Sequence, residues 1–215
     1  LPAVICMDRS GLVGPDGSTH HGVFDIPFLR AIPNIIITSP KDGFELHDLL
    51  FTALEINKIF TIRYGKIETD YKENYTPKLL DIGSWEHLIE GDDIVVLSVG
   101  SMVNNAIKVA ELLKDNKDIN LGVINCRFIK PLDCSMLSDI KEKYKYIFTI
   151  EEGCIQGGFG SSILEYFSKF EYDNIINLIG VDDEFIEHGS RKELLELTGL
   201  SVSKIYDKII EVYEK

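Results

Sequence analysis

NIIITSPKDGFELHDLLFTALEINKIFTI, residues 34–62, decides the fold class. Asn34 to Thr38 and Ile59 to Ile62 are short apolar runs rich in β-branched residues, each of strand length. Between them, Ser39-Pro40-Lys41-Asp42 offers a capping serine, a proline at the first helical position and an acid able to reach back, so the spacing predicts a helix starting there. Leu46, Leu49, Leu50, Ala53 and Leu54 recur at helical spacing and are expected to form its buried stripe. Strand, helix and strand in that order make a crossover unit of a parallel sheet.

The alternation extends in both directions. Upstream, Ala3-Val4-Ile5-Cys6-Met7 reads as a strand. Downstream, strands are expected at Ile94–Val99, Ile119–Asn125, Tyr146–Ile150 and Ile175–Ile179, and helices from Met102, after an Asp133 cap and from about Phe159, with two more closing the chain. The stretch from Ile67 to Glu90 is polar. The expected fold is therefore α/β, with two open, mostly parallel sheets carrying helices on both faces. Its division is a first domain over residues 1–75, a linker over 76–90 and a second domain over 91–215. The chain opens at Leu1 and runs straight into a strand with no leader, the pattern of a chain cut inside a fold.

With 215 residues, 45% of them hydrophobic, there is enough apolar material for one generous core or two small ones. Acidic residues outnumber basic ones, 35 to 22, for a net charge of −13, which speaks against nucleic acid or an anionic membrane as partner. A phosphate must instead meet a local basic cluster. No apolar run reaches the ~18 residues a membrane span needs. Cys6, Cys126, Cys134 and Cys154 form no C-x-x-C pair and have no His at ligand spacing, so reduced thiols of a cytosolic protein are expected rather than zinc or a redox motif.

Asp8 to Pro33 is a long connection with Gly11, Gly14, Gly17 and Gly22 and little periodicity. It leaves the end of the first strand, where open α/β sheets hold their ligands. Its Arg, Asp and His residues offer a phosphate clamp, a hydroxyl acceptor and a proton carrier; its Asp and Gly residues also suit plain surface turns. Arg63-Tyr64-Gly65-Lys66 ends the third strand at the same edge, so its cations could converge with Arg9 on one anion, or be solvated strand-end charges. Glu151 to Ser162 is a glycine-rich turn without a Lys. It fits neither a dinucleotide fingerprint nor a P-loop and is read as tight packing of helix on strand. His188, Arg127 and Lys130 are read as structural or surface residues.

The run Asp8-Arg9-Ser10-Gly11-Leu12-Val13-Gly14-Pro15-Asp16-Gly17-Ser18-Thr19-His20-His21-Gly22-Val23-Phe24-Asp25, with Leu29-Arg30-Ala31-Ile32-Pro33 after it, resembles the 1-deoxy-D-xylulose-5-phosphate synthase family. The resemblance continues through Arg127 to Asp133, Glu151-Glu152-Gly153 with Gly157-Gly158, and Phe185 to Gly189. It implies thiamine diphosphate chemistry with Mg2+, joining pyruvate to glyceraldehyde 3-phosphate with loss of CO2, in a homodimer of a bacterial cytoplasm or a plastid. Position by position, it implies that Arg9, Asp16 and Lys66 bind the acceptor and that His20 lies at the reacting carbons. Lys66 stands where the family usually has Arg, which keeps the charge without the bidentate fork. The diphosphate and magnesium site and the cofactor-activating Glu would lie upstream of Leu1, so this chain is expected to bind no cofactor and to be inactive alone, its loop 8–25 loosely held. A 2-oxo acid dehydrogenase β-subunit, with the same two domain types, and a non-catalytic dimerisation module are the rival readings.

Overall fold

A computed structural model describes residues 1–69, 72 and 74–215; Asp70, Tyr71 and Glu73, in the stretch read as polar, lie outside the described residues. The first sheet contains β1 (Ala3–Met7), β2 (Ile35–Thr38), β3 (Ile59–Arg63) and β7 (Phe128–Lys130), in the order β1-β3-β2-β7. The second contains β4 (Glu86–Ile89), β5 (Ile94–Ser98), β6 (Leu121–Asn125), β8 (Tyr146–Cys154) and β9 (Ile175–Val181), in the order β4-β6-β5-β8-β9. Only β7 and β4, each at one edge, run antiparallel to their neighbours. The helices are α1 (Asp25–Arg30), α2 (Gly43–Glu55), α3 (Met102–Lys117), α4 (Cys134–Lys143), α5 (Phe159–Phe167), α6 (Arg191–Leu197) and α7 (Val202–Tyr213). The α/β class with two mostly parallel sheets holds.

The two halves are not separate bodies. β7, which follows β6 of the second sheet, crosses to pair with β2 of the first (Ile37 with Lys130, Thr38 with Phe128). One apolar core runs through both, from Ile36 and Phe60 to Val95, Ile124 and Phe159. Trp85 is buried in it and donates its indole N–H to the Phe128 carbonyl at 2.7 Å.

Three expectations need correction. The helix expected at Ser39 begins at Gly43, because Asp42, with Oδ1 accepting from the Glu45 N–H at 2.8 Å, is its cap. Ser39 instead donates its hydroxyl to the Arg63 carbonyl. The stripe is also wrong in part: Leu49 and Ala53 are buried, but Leu50 and Leu54 are 37% and 68% exposed. The face of α2 turned inward carries Glu45, Asp48 and Thr52. Asp48 accepts from the Lys78 N–H and the Tyr75 hydroxyl, and Thr52 from the Leu80 N–H. A polar stripe is needed there because it satisfies the backbone of a strap laid along the helix. The 76–90 linker is, accordingly, strapped to α2 over its first part, and its last part is β4, paired with β6.

Candidate functional site

β1, β3 and β2 run parallel, and the chain leaves the ends of β1 and β3 at one edge of the sheet. The loop after β1 is fastened to that edge by the Ser10 N–H on the Tyr64 carbonyl at 3.0 Å. It then closes on itself, the Gly11 N–H reaching the Gly22 carbonyl at 3.0 Å and the Gly22 N–H reaching the Gly11 carbonyl at 2.9 Å. Gly22 is required by this closure: a Cβ there would lie 2.6 Å from the Arg9 carbonyl oxygen. Within the expected connection the chain also forms a short 3-10 turn at Gly14–Asp16 and the helix α1.

Arg9 and Asp16 are brought together. An Arg9 Nη1 lies 3.3 Å from an Asp16 carboxylate oxygen, with the two side chains 40% and 33% exposed. His20 is exposed, its backbone N–H on the Gly17 carbonyl and its Nδ1 3.0 Å from the Thr19 hydroxyl. Lys66 is exposed at the same sheet edge, beyond the end of β3, and makes no ion pair among the described residues. A cavity of about 200 Å³ beside it is lined by residues including Lys41, Leu46, Tyr64 and Ser101.

Arg63 does not join these cations. It is 2% exposed, and one Nη2 donates to the Gly22 carbonyl at 2.8 Å and to the Glu152 carbonyl at 3.2 Å. Its Nε faces the Asp25 carboxylate at 3.5 Å. Burial holds the Asp25 carboxyl above its ordinary pKa despite this guanidinium. Arg63 thus ties the loop to β8 and is unavailable to a ligand.

Sequence reasoning missed the residues that hold the loop from the second half. Glu152, 4% exposed, accepts from the Leu12 N–H at 2.9 Å, the Ser101 hydroxyl at 2.6 Å and an Arg191 Nη2 at 2.6 Å. His21 is buried; its Nδ1 accepts from the Val13 N–H at 3.0 Å, so Nε2 carries the proton and faces the Glu187 carbonyl at 3.3 Å. The loop expected to be loosely held is therefore tied down by β8 and by the segment before α6. The available signal was two acids closing the apolar run Tyr146-Ile147-Phe148-Thr149-Ile150, a place where an acid must have donors.

Glu151 points to a different partner. Its carboxylate accepts from the Phe159 and Gly160 N–H groups, both at 2.8 Å, at the start of α5, and burial pushes it up to about 7. Gly160 permits the packing, since a Cβ there would lie 2.5 Å from the Thr149 hydroxyl. The structural reading of this turn holds. Arg127 and Lys130 are likewise engaged with backbone, on Ser84 and on Arg30 and Ile32.

The α5 N-terminus is taken by Glu151, and no group of three or more His, Cys, Asp or Glu among the described residues could hold a metal ion. No helix among the described residues is long and apolar enough to cross a membrane.

Residues 1–71 match the family model "Transketolase, pyrimidine binding domain" and residues 83–205 match "Transketolase, C-terminal domain". Among curated proteins, the 1-deoxy-D-xylulose-5-phosphate synthase of Listeria innocua is 46% identical over 215 residues, covering 99% of this chain and 34% of its own length. That of Aquifex aeolicus is 42% identical over 205 residues, covering 95% and 32%. The chain thus spans about a third of the length of these relatives. Among solved structures, a split gene transketolase described as an inactive beta4 tetramer aligns with a TM-score of 0.81 at 25% identity, over 97% of this chain and 65% of that one. A transketolase from Campylobacter jejuni aligns with a TM-score of 0.73 at 19% identity, over 97% and 31%.

Proposed function

The chain belongs to the transketolase family, and from that membership we propose that it is the acceptor-binding part of a 1-deoxy-D-xylulose-5-phosphate synthase. The intact protein then joins pyruvate to glyceraldehyde 3-phosphate: one carbon–carbon bond breaks as CO2 leaves, one forms at the aldehyde carbon, and the aldehyde oxygen takes a proton. The observation that carries this reading is the Arg9–Asp16 pair, on a loop fixed at the carboxyl end of parallel strands, in a chain 46% identical to a protein of that name.

Arg9 faces Asp16 through Nη1 at 3.3 Å and Asp8 through Nε at 4.0 Å and is 40% exposed, so its Nη2 is the group offered to the acceptor's phosphate. Asp16, partly exposed beside it, accepts the acceptor's hydroxyl. His20 supplies the proton to the aldehyde oxygen as charge develops there. Lys66 adds a second, point-like positive charge at the phosphate. Thiamine diphosphate and Mg2+ are held by other parts of the intact protein, and the isolated chain is inactive; the inactive split gene transketolase of similar fold supports this. We place the division between the two family domains in residues 76–90. A homodimer in a bacterial cytoplasm completes the proposal, and the exposed Leu50, Phe51 and Leu54 of α2 supply apolar surface for contact.

The synthase name borne by the relatives favours this reading over a 2-oxo acid dehydrogenase subunit or a non-catalytic module. The test is the intact protein supplied with thiamine diphosphate, Mg2+, pyruvate and glyceraldehyde 3-phosphate. Equimolar CO2 and 1-deoxyxylulose 5-phosphate are expected. Consumption of pyruvate with the phosphorylated aldehyde untouched would refute the proposal.

A further inference from the structure

We propose that Glu152 is a positioning residue for the acceptor loop: a carboxylate from the second half of the chain that sets where Arg9 and Asp16 stand. The role of the loop rests on the function proposed above; the mechanical role of Glu152 does not.

Glu152 lies near the end of β8, 140 residues from its loop partner. Its Oε1 takes the Leu12 N–H, while its Oε2 takes the Ser101 hydroxyl, just before α3, and the Arg191 guanidinium, at the start of α6. An ionised carboxylate only accepts, so these three donors from three elements fix its position. The loop is shaped to receive it. Gly11 has φ 76°, and a Cβ there would lie 2.5 Å from the Glu152 Cδ, so any other residue would push the carboxylate and Leu12 apart. Leu12 and Val23 are in turn buried in the apolar core around β5 and β8. Arg9, three residues before Leu12, has φ 61°, a left-handed conformation that a non-glycine residue keeps only when its surroundings dictate it. The Gly22 N–H on the Arg9 carbonyl and the Ser10 N–H on Tyr64 are two of those constraints. The Glu152–Leu12 bond adds a constraint from the far half of the chain, as the Glu187 and Gly189 contacts do further along the loop.

Glu152 makes no contact expected with substrate, so its loss should act through Arg9. A phosphate contact made alike in the bound and transition states appears in KM. In the intact protein, Glu152→Ala should raise KM for glyceraldehyde 3-phosphate about tenfold, the size expected for losing one hydrogen bond to a charged group, with pyruvate KM unchanged. Glu152→Gln keeps an oxygen for Leu12 but opposes Arg191, and should restore most of that loss. Amide exchange at residues 10–14 should quicken about tenfold in Glu152→Ala relative to the β5 and β8 amides. If Glu152→Ala fails to fold, Arg191→Met, which removes only the exposed-side partner, should show the same acceptor-selective pattern at smaller size. Equal losses for both substrates, or unchanged exchange at residues 10–14, would overturn the proposal. If the wild-type protein does not join the two substrates, the functional reading falls, while exchange at Leu12 still decides whether Glu152 holds the loop.

Discussion

Arg9 holds a left-handed backbone that costs a non-glycine residue about 1–2 kcal/mol, and it does so beside an acid, at the edge where parallel sheets bind ligands. On the proposed reading its value lies in one of two substrates. A charge-assisted hydrogen bond contributes about 1.5–3 kcal/mol, so in the intact protein Arg9→Ala should lower kcat/KM for glyceraldehyde 3-phosphate about ten- to hundredfold and leave the use of pyruvate unchanged. Lys66→Ala should act in the same direction but less, because an ammonium is replaced in part by water. His20→Ala should lower turnover more than acceptor affinity, because a proton donor matters when the new bond forms. Steady-state kinetics with each substrate varied in turn separates the three; parallel losses for both substrates in Arg9→Ala would remove the clamp assignment. Arg9, Asp16 and His20 stand out as candidates because one local run carries all three, and the approach of Arg9 to Asp16 follows from that run. Arg63 was misjudged and Glu152 missed because their roles lie in contacts with Gly22 and Leu12, 41 and 140 residues away, which no local pattern records.

At the scale of elements, β8 and α5 meet through Glu151, whose carboxylate caps the helix while buried. Its folded-state pKa of about 7 lies above the ordinary 4.5, so the folded protein holds a proton that the unfolded chain releases first. The associated stability is complete below about pH 4.5 and is lost as pH rises through about 7, on the order of 3 kcal/mol in all. Glu151→Gln cannot ionise and should lose this slope; denaturant titrations of both proteins between pH 4.5 and 8 read it directly, and equal slopes would show that Glu151 ionises freely. Long apolar strands such as β5 and β6 were readable from their runs. β4 and β7 were not, being four and three residues long and defined by partners elsewhere. The α2 stripe was misread because helical spacing marks a face, whereas the strap along Asp48 and Thr52 decides that the buried face is partly polar.

Taken whole, the molecule is one body in which the second half supports the first. β7 closes one side of the first sheet, and Glu152, Glu187 and Gly189 hold the loop that carries Arg9 and Asp16. Composition marks the polar stretch between the halves, whereas the strand exchanged between the sheets leaves no mark on it. On the proposed reading this body grips the acceptor, through the partly exposed Arg9 and Asp16 and the exposed Lys66, and the cofactor is held elsewhere in the intact protein. Calorimetric titration of the folded 215-residue chain with thiamine diphosphate and Mg2+ decides this. No saturable heat is expected; saturable binding with a Kd on the order of micromolar would mean that the cofactor site lies within these residues.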